Sequence, residues 1–247
     1  MKKLPVIDFH THILPHMDDG SRNTEMSLDM LREMKESGVD IAVATSHYYH
    51  RNESVDRFLA RREEMLSHLF EKAAGEQIPA VIPGAEVAFY FGIEEEKELD
   101  RLCIAGTRAL LLEMPFASWT SYELNAVSSL CYDRKLTVIL AHYERFAEFQ
   151  KENKYYSELA KLPVLIQINA ASVLPLFSGR RWIKMFGEGQ AHLLGSDAHN
   201  MSSRAPNLSK ARALLGKKLG EEALVKIDET GAKLLGLAGG SAAERKE

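Results

Sequence analysis

Two stretches decide the fold: Val6-Ile7-Asp8-Phe9-His10-Thr11-His12 near the start and Ala191–Leu194 with Gly195-Ser196-Asp197-Ala198-His199 near the end. In each, a short apolar run reads as a buried strand, Val6–Phe9 or Ala191–Leu194, and a pair of ligand-type residues two apart follows it. Side chains two apart on a strand lean to the same side of the pleat, so His10 with His12, and Asp197 with His199, each form a unit. A closed barrel makes its first and last strands neighbours and brings the two pairs together, whereas an open sheet could leave them far apart.

Between these ends lie further apolar runs at Ile41–Ala44, Ala80–Pro83, Ala109–Leu112, Val138–Ala141 and Val164–Ile168. Amphipathic stretches separate most of them, including the helix from about Ser54 to Ala74 with Phe58, Leu66 and Leu69 on its apolar side. Seven strands alternating with helices predict an α/β fold of parallel strands and right-handed crossovers. The pairing argument favours the closed form, a barrel of seven parallel strands. The 247 residues suit a single domain of that type. It is expected to span residues 1–237, leaving 238–247, with Gly239-Gly240-Ser241, as a frayed tail.

The polar residues that follow the strands point to chemistry. His10, His12 and Asp18-Asp19-Gly20 follow the first, His47 the second, Glu86 the third, Glu113 the fourth, His142 the fifth, and Asp197 and His199 the seventh. The sixth strand, ending near Asn169, offers no strong ligand. In a parallel barrel these positions share one rim, where active sites of such barrels lie. Each motif alone has an ordinary explanation: a hydrogen-bonded histidine, an ion pair, a core residue or a turn. Ligand types after six of seven strands make a metal centre the better reading. Imidazole and carboxylate without thiolate suit Zn, Mn or Fe. Arg145 and Arg204 follow ligand clusters on the same rim, and their planar forks fit phosphate oxygens.

Composition narrows the classes. A net charge of −4 argues against a nucleic-acid partner. No apolar run is long enough to insert in a membrane, and Met1-Lys2-Lys3 lacks the apolar stretch of a signal peptide. The two cysteines, Cys103 and Cys131, are too few for a disulfide framework and suit a cytoplasmic location. Neither starts a Cys-x5-Arg phosphate loop, and no Gly-x-Gly-x-x-Gly turn supports a dinucleotide.

The ordered set His10-Thr11-His12, His47, Glu86, Glu113, His142 and Asp197-Ala198-His199 resembles the polymerase-and-histidinol-phosphatase superfamily. More closely, the chain resembles its CpsB/CapC branch of manganese-dependent bacterial protein-tyrosine phosphatases. Ile7–Pro15, Met17-Asp18-Asp19-Gly20, Pro83-Gly84-Ala85-Glu86, Ala141–Arg145 and Ser196–Asn200 carry that likeness. The resemblance implies a distorted TIM-like (β/α)7 barrel with three divalent metals, Mn2+ first, with Fe or Zn in part. It places His10, His12, Glu86 and Asp197 on one metal; Glu86, Glu113 and His142 on a second; and Asp19, His47 and His199 on a third. Arg145 and Arg204 match arginines that contact phosphate. Tyr143, where the branch usually has proline, and Tyr48-Tyr49 depart from the pattern without removing a ligand.

The implied activity is hydrolysis of phosphotyrosine by a metal-activated hydroxide. The implied substrate is a phosphotyrosine protein, the tyrosine-rich tail of a bacterial tyrosine kinase regulating capsule or exopolysaccharide synthesis. Three divalent cations outweigh the four carboxylates among the ligands, so the loaded site attracts an anion although the chain is acidic. Two alternatives use the same residues: a small-molecule phosphatase such as a histidinol phosphatase, and a non-catalytic metal-containing phosphotyrosine-binding adaptor.

Overall fold

A run of β-branched and aliphatic residues buried on both faces is what a parallel strand covered by helices requires, and the runs at 41–44, 109–112 and 138–140 obey this rule, while that at 80–83 is only partly buried. The computed structural model describes residues 4–147, 149–150 and 153–237; the tail expected at 238–247 lies outside them. Along the chain come β1 (Ile7–Thr11), α1 (Thr24–Glu36), β2 (Ile41–Ala44), β3 (His47–Tyr48), α2 (Val55–Lys72), β4 (Ala80–Pro83), β5 (Glu86–Ala88) and β6 (Ala109–Glu113). There follow α3 (Ser121–Tyr132), β7 (Thr137–Leu140), α4 (Lys154–Leu159), β8 (Leu165–Asn169), α5 (Ala170–Val173), α6 (Gly179–Gly187), β9 (Leu193–Gly195), α7 (Leu208–Leu219) and α8 (Glu221–Leu234).

The seven expected strands are all present, their ends shifted by one or two residues, together with two short ones that apolar patterning does not show. β3 continues the direction of β2, and β5 that of β4, after breaks at Thr45-Ser46 and Gly84-Ala85. The breaks lie side by side: Gly84 N donates to Ala44 O at 2.8 Å and Glu86 N to Ser46 O at 3.0 Å. β3 and β5 begin on His47 and Glu86, which are opposite each other in register. An apolar run ends where polar site residues begin, so the continuation carries no hydrophobic signal.

Pairing is parallel throughout, in the orders β1-β2-β4 and β3-β5-β6-β7-β8-β9. The curled sheet comes round on itself at β9 and β1. Asp197 N donates to His10 O at 2.7 Å and His12 N to Ala198 O at 2.9 Å. Thr11 and Ala198 form a parallel bridge. The first and last strands are therefore neighbours, as the paired motifs require.

Alternate side chains feed two apolar clusters. Ile41, Val43, Leu111, Ile139 and Leu193 belong to one. Their chain neighbours Ala42, Leu110, Leu112, Val138, Leu140 and Leu194 join the other with helix residues such as Leu31, Phe58 and Leu130. Helix starts are set by side chains: Asn23 accepts from Met26 N, Ser54 from Arg57 N, and Thr120 with Glu123 forms a capping box.

α8 seats against β1 through Gly231. A methyl group there would lie 2.6 Å from Phe9 Cε2 and 3.2 Å from Ile7 Cδ1. Phe9 is buried and cannot swing aside. Alanine favours a helix over glycine by roughly 1 kcal/mol, but overpacking a filled core costs about 1–3 kcal/mol. The net loss is up to about 2 kcal/mol, so Gly231→Ala should lower the melting temperature by up to roughly 8 °C, at about 2–4 °C per kcal/mol for a chain of this size. Thermal unfolding followed by circular dichroism checks this, and a raised melting temperature would refute the close packing.

Candidate metal centre

The ends of β1, β3, β5, β6 and β9, with the loops beyond β1, β7 and β9, bring all nine expected ligands into one cluster. His10 Nε2 and His12 Nε2 lie 3.1 Å apart. Both face Glu86 Oε2, at 3.0 and 3.2 Å, and Asp197 Oδ1, at 3.6 and 3.4 Å. His142 Nε2 lies 2.7 Å from Glu86 Oε1 and 3.2 Å from Glu113 Oε1. Asp19 Oδ1 faces His47 Nε2 at 3.6 Å and His199 Nε2 at 3.4 Å, and His47 Nδ1 lies 3.1 Å from Glu86 Oε2. Three sets have donor atoms close enough to share an ion: His12, Asp19, His47 and His199; His10, His12 and Glu86; and His47, Glu86 and Glu113. His12 and His47 thus each stand in two sets, where the resemblance gives each to a single metal.

Hydrogen bonding on the far side of the rings fits metal binding. A ligating imidazole usually engages its second ring nitrogen with a carboxylate or carbonyl, which fixes its orientation and leaves the other lone pair free. His12 Nδ1 meets Asp18 Oδ2 at 2.8 Å, His10 Nδ1 meets Gln167 Oε1 at 3.1 Å, and His199 Nδ1 meets Asp197 O, in the same loop, at 2.9 Å. With those nitrogens protonated, the three Nε2 atoms present lone pairs to the cluster. His199 Nε2 and His47 Nδ1 are buried without a hydrogen-bond partner despite the nearby carboxylates. Unpaired imidazole nitrogens facing carboxylates, the buried Glu86 for His47 and the exposed Asp19 for His199, suit a divalent cation.

Titration behaviour follows from burial and these contacts. Burial, aided by the charge on His12, pushes His199 down to about 4, and burial also lowers His47. Burial opposes ionisation of Asp197, but His10, His12 and Arg145 hold its carboxyl well below the usual range. Glu86 is held low in the same way by His10, His12 and His142. For His142, Glu113 and Glu86 outweigh burial and hold it up at about 9. Glu86 and Asp197 are thus ionised at neutral pH, and any cation that takes the His142 lone pair must displace a proton.

The backbone is bent to this purpose. His142 and Asp197 adopt φ of 30° and 54°, a region non-glycine residues rarely occupy and one that collects at functional sites. Gly195 lets β9 lie against β1, since a Cβ there would be 2.6 Å from His10 Cβ.

Arg145 and Arg204 both reach the cluster. Arg145 Nη2 bonds Asp197 Oδ2; Arg204 Nη2 bonds Asp197 Oδ1 at 2.8 Å, and its Nη1 lies 3.6 Å from Asp19 Oδ2. About a third of each side chain remains exposed. Three supporting residues are not among the expected ligands. Asp18 holds His12 and accepts from His47 N at 2.8 Å. Gln167 holds His10 and accepts from His142 N at 2.7 Å. Asn169 donates to Asp197 Oδ2 at 2.8 Å, so the sixth predicted strand serves the site without ligating. A glutamine inside the apolar run Leu165–Ile168 is the signal that could have found Gln167.

Comparison with known proteins agrees with this arrangement. Residues 6–235 match the family model "Capsular polysaccharide synthesis, CpsB/CapC". The chain is 29% identical over 240 residues to tyrosine-protein phosphatase YwqE of Bacillus subtilis, covering 93% of this chain and 91% of that protein. It is 28% identical over 226 residues to tyrosine-protein phosphatase CpsB of Streptococcus pneumoniae, covering 87% and 91%. A crystal structure from work on those two proteins, described as unique metal-dependent tyrosine phosphatases, superposes with a TM-score of 0.80 at 25% identity, over 94% of this chain and 95% of that one. An amidohydrolase of Bifidobacterium longum subsp. infantis, 15% identical with a TM-score of 0.54 over 95% of this chain and 99% of that one, shares the fold alone. With nearly every described residue inside the matched span, this chain belongs to the CpsB/CapC family of capsular polysaccharide synthesis.

Proposed function

We propose that this chain is a metal-dependent protein-tyrosine phosphatase acting on a phosphotyrosine protein, the tyrosine-rich tail of a bacterial tyrosine kinase that regulates capsule or exopolysaccharide synthesis. The observation that carries this reading is the convergence of His10, His12, His47 and His142 on the buried Glu86, with two arginines at the edge of the cluster. The family and its curated tyrosine-phosphatase relatives support the substrate class. Cytoplasmic action is proposed with it, consistent with two unpaired cysteines. Among the described residues no helix is long and apolar enough to cross a membrane.

The proposed ligands are those of the three implied sets: His10, His12, Glu86 and Asp197; Glu86, Glu113 and His142; and Asp19, His47 and His199. Mn2+ is the proposed metal, since imidazole-rich sites suit it better than Mg2+. Bound there, divalent cations supply Lewis-acid charge for direct hydrolysis of a phosphomonoester by water. Asp18, Gln167 and the Asp197 carbonyl hold His12, His10 and His199 with Nε2 facing inward. Arg145 and Arg204 present exposed guanidinium edges to phosphoryl oxygens while their inner edges stay on Asp197, so they are oriented before substrate arrives. Tyrosine, with a pKa near ~10, leaves more readily than serine and depends less on a proton donor. A thiolate plays no part: burial pushes both Cys103 and Cys131 up to about 11.

Chelation should abolish phosphotyrosine hydrolysis, with Mn2+ restoring it better than Mg2+; undiminished turnover after prolonged chelation would refute the metal reading. Arg145→Ala and Arg204→Ala should retain bound metal but lower kcat/KM by roughly 10- to 150-fold, the equivalent of a charge-assisted bond of about 1.5–3 kcal/mol. Lysine should recover part of the loss, and unchanged kcat/KM in both alanine variants would remove the arginines from the site. Asp18→Asn should weaken metal binding by roughly 10- to 100-fold, the usual effect of losing the partner of a ligating histidine. Metal titration of the chelated protein measures this, and wild-type affinity would show that the His12–Asp18 contact does not support the centre.

A further inference from the structure

Phe116 stands three residues beyond Glu113 and is 47% exposed, an unusual position for a phenylalanine beside a charged cluster. Its ring is nearly parallel to that of His142, at 6.1 Å and 21°. Buried Phe146 supports it at 5.0 Å, and Phe149, 46% exposed, flanks it edge-on at 5.9 Å. Phe116 and Phe149 line one side of a groove of about 880 Å³, and Arg145 lines the same groove. A cation and an open aromatic wall in one groove match the two halves of an aryl phosphate.

The opposite side of the cluster is different. Tyr49 stacks on His47 at 5.2 Å, but it faces a smaller pocket of about 400 Å³ lined by Asp18, Asp19, Glu53 and two arginines. That pocket carries three carboxylates, Asp18, Asp19 and Glu53, beside His47, whereas the Phe116 groove carries one, Glu144, among its aromatic rings.

We propose that Phe116, braced by Phe146 and flanked by Phe149, is the wall against which the aryl ring of the phosphotyrosyl group packs while Arg145 takes the phosphoryl group. The proposal rests on the phosphatase reading and makes Phe116 a determinant of aryl over alkyl specificity. An aromatic contact of this kind corresponds to roughly a 3- to 10-fold change in affinity.

Calorimetry with phenylphosphonate and methylphosphonate on the Mn-loaded protein tests it without turnover. The wild type should prefer the phenyl compound, Phe116→Ala should lose roughly 3- to 10-fold of that preference, and Phe116→Tyr should keep it. An unchanged preference in Phe116→Ala, or a loss produced by Tyr49→Ala instead, would overturn the assignment. Equal loss of both ligands together with bound metal would assign Phe116 to bracing His142 and also overturn it. Hydrolysis of a phosphotyrosine peptide is measured in parallel. A wild type that shows the phenyl preference but no hydrolysis would keep the wall and reject the phosphatase reading, whereas hydrolysis without the preference would do the reverse.

Discussion

One buried carboxylate organises the site. Glu86 is withdrawn from solvent and faces four imidazoles, with His10, His12 and His47 on one oxygen and His142 on the other. Burying an ionised group without compensation would cost several kcal/mol. The compensation comes from side chains delivered by separate strands and loops, so the charge cluster exists only when the sheet has curled. Removing a partner leaves the remaining charges buried and unpaired, which is why the supporting residues Asp18, Gln167 and Asn169 matter although they are not proposed ligands.

The closure of the sheet and the assembly of the site are one event. The hydrogen bonds that join the β9 end to β1 run through Asp197 N, His10 O, His12 N and Ala198 O, the backbone of three proposed ligands and of the alanine between Asp197 and His199. Gly195 permits that approach, and the left-handed backbone at Asp197 directs its side chain between the histidines and the two arginines. Apolar packing on both faces of the strands supplies the favourable free energy, and the polar ends of those strands spend part of it on a strained, charged rim.

How much of this could be read in advance depends on the kind of signal. Apolar runs disclosed the seven main strands, and the residues after them disclosed the members of the cluster, because period and residue type are local properties. β3 and β5 were not legible: each begins on a polar site residue, where hydrophobic patterning stops. The segment 205–237 offered no motif, and α7 and α8 emerge there through packing, with Gly231 meeting Phe9. Asp18 sat unassigned beside Asp19, and Asn169 looked inert, since their roles are defined by contacts 6 and 28 residues away. The pairing of Arg145 with Asp197, 52 residues apart, was hidden for the same reason. Phe116 resembles any other loop aromatic until its open ring is seen beside His142.

The central claim is that this cluster is a metal centre built around Glu86. Anomalous diffraction from crystals of the Mn-loaded protein, collected at the manganese edge, tests it most directly. The account predicts three peaks among the nine proposed ligands, two of them sharing Glu86, and their loss in Glu86→Gln crystals of the same fold. An absence of anomalous density at the cluster in the wild type, or peaks unchanged by Glu86→Gln, would contradict it.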